Sequence, residues 1–161
     1  MRLVRKLLAL PRSERRLLVQ AALLLTVIRL GLGRLPFPFL RRLATGGGLP
    51  AGGTTVGDPR LEDRVVWAVT VASRYVPGAM CLSRALSVHS LLARHGSPSR
   101  LHIGVVRGGH GKLEGHAWVE SDKRVLIGGT ASEVGHFTPI AAFDADAGSR
   151  EPTAGALRGG R

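Results

Sequence analysis

The hydrophobic pattern changes period once along this chain, and that change limits the folds open to it. Helix-period segments fill the sequence up to Gly96, strand-period segments follow from Leu101, and Gly96-Ser97-Pro98 separates them. Helices first and an antiparallel meander second define an α+β class rather than alternating β-α units. Ser13 is read as the cap of a helix that has Glu14 in its first turn, continues to about Leu30 and stops at Gly31 and Gly33. A short helix around Val4–Leu10 precedes it and is broken by Pro11. Asp58-Pro59 opens the next helix, since Asp caps well and Pro suits the first helical position; it runs to about Tyr75, before Pro77-Gly78. A third begins close to Cys81, passes through Leu82, Leu86, Val88, Leu91 and Leu92, and ends at Gly96.

Three strands are expected, at Leu101–Arg107, Leu113–Glu120 and Arg124–Ile127. A glycine-rich turn joins the first two, and Ser121-Asp122 forms a tight turn before the third. Phe137–Phe143 supplies a last short strand. The domain reading is a basic helical extension over residues 1–45, a Gly-rich linker at 46–57, an α+β domain at 58–146 and a disordered Gly/Arg-rich tail at 147–161.

Charge is unevenly placed. The 161 residues carry a formal net charge of +12. Residues 1–45 hold ten Arg and Lys against the single acid Glu14, so nine of those charges lie there. This favours an acidic partner, with an anionic membrane surface among the candidates. Nucleic acid is not expected, because aromatic residues are only 4% of the chain and no basic–aromatic interleaving appears. The apolar run Leu17–Ile28 is closed by Arg16 and Arg29, too short to span a bilayer, and lacks a signal-peptide cleavage site. The expected location is cytoplasmic, peripheral to a membrane at most. One cysteine excludes an intrachain disulfide, and the sequence offers neither a structural zinc framework nor a cofactor motif, so no metal or cofactor is expected.

That lone Cys81 stands where a helix begins. A helix N-terminus presents unpaired N–H groups and partial positive charge, which favour a thiolate and can hold an oxyanion. A lone cysteine is otherwise a small core hydrophobe. His116 selects between these readings. It lies mid-strand, sharing a face with Glu114 and Trp118, while Gly115, Ala117 and Val119 take the other face. A strand-borne imidazole facing the helix tip can take the thiol proton. Cys81 is the candidate nucleophile and His116 its base. The other five histidines fit structural roles, Glu120 is expected to be solvated, and Trp118 is either core or a substrate platform. Arg84, one helical turn from Cys81, either holds a carboxylate or is solvated.

The run CLSRALSVHSLLARHG at Cys81–Gly96, followed by LHIGVV, GHAWVE and FTPI, carries a family resemblance. It is similar to the stand-alone leader peptidases of lasso peptide biosynthesis, within the transglutaminase-like cysteine protease superfamily. The likeness covers Cys81–Ile140, and the basic, Leu-rich N-terminal region also resembles that family's helical extension. The resemblance implies a transglutaminase-like/papain-like core that cuts a ribosomally made precursor peptide at its leader–core junction. It implies as partners a separate leader-recognition protein and an asparagine-synthetase-like lasso cyclase. The chain would be the protease half of a split system, being too short to hold the recognition domain as well. Cys81 then attacks the scissile carbonyl, His116 serves as base and acid, and water resolves the thioester. Two other classes stay open: an amidase or acyltransferase using the same pair, and a non-catalytic basic binding module.

The third group of a triad, which orients the imidazole, departs from the family pattern. A two-residue turn at Ser121-Asp122 places Ile127 opposite His116, and a three-residue turn places Gly128 there; neither has a side-chain acceptor. Asp122 lies ~20 Å away along the strand, beyond reach. Glu114, Glu133, Asp144 or a backbone carbonyl remain as acceptors.

Overall fold

The first helix is built by spacing. Leu17, Leu18, Ala21, Leu24, Leu25 and Ile28 recur at helical intervals, and all are buried in α1 (Arg12–Gly31). The computed structural model describes residues 10–36, 57–109 and 112–144. The helix expected at Val4–Leu10, most of the linker and the tail lie outside the described residues. Ser13 is not the cap of α1: Pro11 occupies that position, and no side chain caps the helix. Proline fixes its own backbone angle and enters the helix start without needing a donor, so the helix begins two residues earlier than a Ser13 cap would set it.

Asp58 does cap α2 (Pro59–Ser73), accepting a hydrogen bond from Arg60 N at 3.0 Å. The third helix, α3 (Cys81–Arg94), is buried all round from Ala85 to Leu92 because it lies between the other two helices and the sheet. Its buried serines are satisfied within the helix. Ser83 Oγ donates to Met80 O at 2.9 Å, Ser87 Oγ to Ser83 O at 2.8 Å and Ser90 Oγ to Leu86 O at 2.6 Å. Residues of α1, α2, α3 and the sheet form one apolar cluster, so the basic helix shares its core with the rest of the chain. The guanidinium of Arg29 in α1 lies against Gly78, whose φ of +71° turns the chain three residues before Cys81.

The strands are β1 (Arg100–Arg107), β2 (Leu113–Ser121), β3 (Arg124–Ile127) and β4 (Thr138–Asp144), all antiparallel in the order β3-β2-β1-β4. The fourth strand thus crosses to the far side of β1 instead of extending the meander. A one-turn helix, α4 (Ala131–Val134), precedes it. Leu101, Ala117, Val119 and Ile127 face the helices and join the core. The helices and four-stranded sheet make the α+β, papain-like core expected from the sequence.

The β2–β3 register differs from the sequence expectation. Ser121 stays in the strand and pairs with Arg124, so the turn residues are Asp122 and Lys123, with φ of +46° and +64°. Ser121 is held there because its hydroxyl donates to Glu62 Oε1 at 2.6 Å, with Pro98 O 3.1 Å away. The buried Glu62 also meets Arg124 at 2.6 Å, and Arg124 reaches Asp63 at 3.0 Å. This charge pairing clips α2 to the hairpin and leaves the buried carboxylate compensated. An irregularity after Val119 then sets Ile127 opposite Val119, so β3 ends before it reaches His116.

Candidate active site

Cys81 is the first residue of α3. Met80 precedes it in an extended conformation, and no side chain caps the helix. The first intrahelical bond of this turn runs from Arg84 N to Met80 O at 3.1 Å, so the N–H groups of residues 81–83 precede it without an intrahelical carbonyl. The thiol therefore stands beside free donors and the positive end of a 14-residue helix.

His116 reaches the same place from β2. Beyond Ile127 the chain bends away through Gly128 and Gly129, at φ of +102° and +114°. That bend presents the Gly128 carbonyl to His116, whose Nε2 lies 2.5 Å from the oxygen. A carbonyl only accepts, so Nε2 carries the proton and the neutral ring keeps its lone pair on Nδ1. Glycine is required at 128 for two reasons. Its φ is left-handed, and a Cβ there would sit 2.6 Å from Trp118 Cβ and 2.7 Å from the Ala117 oxygen. The acceptor is thus a backbone carbonyl, one of the options left open above. Asp144 is engaged elsewhere, with Arg100 at 2.6 and 3.1 Å.

Aromatic rings fix the imidazole plane. Phe137 stacks on His116 with centroids 4.9 Å apart, and Trp118 lies 6.4 Å away at an interplanar angle of 19°. Trp118 is buried, stacks on His102 at 5.2 Å and donates its indole N–H to Glu120 Oε1 at 2.8 Å. Glu120 is therefore not merely solvated, because the indole donor needs an acceptor. Burial holds His102 below its ordinary value of 6.5 despite the nearby Glu120 carboxylate, so their 3.4 Å contact is not an ion pair at neutral pH. Gly104 pairs with His116 across the β1–β2 ladder. A Cβ there would lie 2.9 Å from Trp118 and 3.0 Å from Phe137, so glycine lets those rings close over the sheet.

Cys81, Arg84, His116, Gly128, Glu133 and Phe137 line one open cleft of about 380 Å³. No hydrogen bond joins the thiol to the imidazole; both residues line the same cleft. Such pairs commonly tighten only when substrate is bound. Glu133 is committed to the capping box of α4, accepting from Thr130 N at 2.6 Å and Thr130 Oγ at 2.9 Å. Those bonds, with a smaller contribution from His116, hold its carboxyl below the usual range.

A family model described as the transglutaminase-like superfamily matches residues 22–142. The chain belongs to the transglutaminase-like superfamily. This match begins inside α1 and ends inside β4, so it includes part of the basic helix as well as the sheet. Transglutaminase-like proteins are generally cysteine proteases and transferases, which agrees with a thiol and an imidazole on one cleft. No curated protein and no solved structure matches the chain. Among the described residues of this transglutaminase-like chain, no helix is long and apolar enough to cross a membrane.

Cys81 and His116 carry local signals, a helix start and a mid-strand position, whereas Phe137 and Gly104 carry none. The capping-box pattern Thr130-x-x-Glu133, legible in principle, would have located α4 and kept Glu133 from consideration as the orienting acid.

Proposed function

We propose that this chain is a cysteine peptidase that removes the leader from a ribosomally synthesised lasso peptide precursor. The observation that supports the chemistry is the Nε2 contact to Gly128 O, which leaves Nδ1 as the nitrogen able to take a proton on a ring that lines the same cleft as Cys81. The leader specificity is supported by the sequence resemblance over Cys81–Ile140 and by nothing else.

The steps follow from the groups present. His116 takes the proton of the Cys81 thiol, and the thiolate sulfur bonds to the scissile carbonyl carbon. The helix N-terminus stabilises the resulting oxyanion. As the C–N bond breaks, the imidazolium returns that proton to the leaving amine, which becomes the free N-terminus of the core peptide. His116 then takes a proton from water, whose oxygen attacks the thioester. The leader departs with a new carboxylate, and the sulfur recovers its proton. The released core amine suits a cyclase that closes it onto an acidic side chain, and a separate recognition protein would deliver the leader. The outward stripe of α1, with Val19, Leu23, Val27 and Leu30 exposed among basic residues, is where this reading seats that protein. Binding to anionic vesicles with no effect of the recognition protein on cleavage would favour the membrane instead.

The test is to incubate the protein with precursor and recognition partner, then weigh the products. Two fragments are expected with wild type, and only intact precursor with Cys81→Ala or His116→Ala. Undiminished cleavage by Cys81→Ala would rule the mechanism out.

A further inference from the structure

Arg84 is a cation placed beside the thiol without a counter-ion. It follows Cys81 by three residues in α3, so both side chains lie on one helix face. Helical side chains lean toward the N-terminus, which carries the guanidinium over the turn that begins at Cys81. Arg84 and Cys81 line the same cleft. Its Nε is sealed from solvent with no hydrogen-bond partner. The cleft's acid, Glu133, is bonded to Thr130 and forms no ion pair with it. Other arginines show what this fold does with a guanidinium it uses structurally: Arg100 is paired with Asp144, and Arg124 with Glu62 and Asp63. A buried donor without an acceptor is costly, and that cost is recovered when an occupant of the cleft supplies one. The planar guanidinium matches a carboxylate with two parallel N–H···O bonds.

We propose that Arg84 anchors a carboxylate of the substrate beside the bond that Cys81 attacks, and so selects acyl donors carrying a negative charge there. This deepens the peptidase reading and rests on it for the reaction, but the anion site is testable without any turnover. Either an acidic side chain or a peptide C-terminus presents this chemistry.

Alkylation of Cys81 supplies the test. Iodoacetate carries the carboxylate and iodoacetamide is its neutral analogue, so their rate ratio reports anion attraction while any change in thiol ionisation cancels. Relative to a small free thiol, the wild-type ratio should favour iodoacetate by about tenfold, as expected for a hydrogen bond to a charged group. Arg84→Gln should abolish that preference, and Arg84→Lys should keep part of it. Folding is checked by circular dichroism and by the melting temperature. Protection assays then separate the sources. An N-acetylated, C-amidated tripeptide with a central aspartate offers only a side-chain carboxylate, and an N-acetylated trialanine with a free C-terminus offers only the terminal one. Whichever slows iodoacetamide in wild type but not in Arg84→Gln identifies the ligand. A reagent ratio unchanged in Arg84→Gln would overturn the proposal, as would equal slowing of both reagents. Wild-type protein that prefers iodoacetate, loses that preference in Arg84→Gln and yet leaves the precursor intact would count against the peptidase reading alone.

Discussion

The two faces of the sheet are made of the same strands and differ in nearly everything else. Toward the helices, Leu101, Ala117, Val119 and Ile127 are buried, apolar and part of one core. The opposite face holds His102, His116, Trp118 and the ring of Phe137, arranged as a stack with its polar edges tied to Glu120 and Gly128. Alternation along β2 places chemistry and stability on neighbouring residues that point opposite ways. A substitution can therefore strike one with little effect on the other.

The sharpest separation is expected at His116. His116→Ala should lower turnover by about 10²–10⁴-fold, the usual worth of a general base, with the melting temperature nearly unchanged. A large drop in melting temperature would mean that the reactive face also holds the fold. Leu101→Ala, on the opposite face of the adjacent strand, should do the reverse. Its fully buried side chain implies a loss of about 2–5 kcal/mol in urea unfolding, with the remaining folded protein retaining its specific activity. Gly128→Ala links the faces. It combines a left-handed φ with contacts below 3 Å, so a destabilisation of about 1–3 kcal/mol should accompany lost activity. Activity retained in that variant would show that the ring's orientation does not depend on the glycine bend.

The smallest effect concerns acid. Burial lowers the folded-state value of His102 below 6.5, so at intermediate pH the unfolded chain binds the proton that the folded one refuses. Stability from the neutral ring is complete above about 6.5 and is lost as the pH falls through the lower folded value. His102→Phe keeps the stacking partner and should flatten that acid-side decline in urea midpoints. An identical slope in wild type and variant would assign the decline to other groups.

Much of this arrangement is legible in the sequence. Asp58-Pro59, the start of α3 at Cys81 and the strand bearing His116 follow from local chemistry, because caps, glycines and period act over a few residues. The hairpin register was not legible. It depends on Ser121 being held by Glu62, fifty-nine residues earlier in the chain, and no local pattern records that bond. The same holds for Gly104, whose missing side chain matters only because Phe137 folds over it from another segment. Candidate side chains were thus readable one at a time, while the groups that orient them came from tertiary contacts.

The Gly128 acceptor has a consequence for how this centre tolerates change. An aspartate or asparagine in that role disappears with one codon, whereas a peptide oxygen persists under every substitution. What it depends on instead is the shape of a two-residue bend, so its vulnerability lies in torsion angles rather than in residue identity. Being uncharged, it steers the ring without adding a second anion to the cleft beside Glu133, so it does not offset the positive charge that Arg84 brings there.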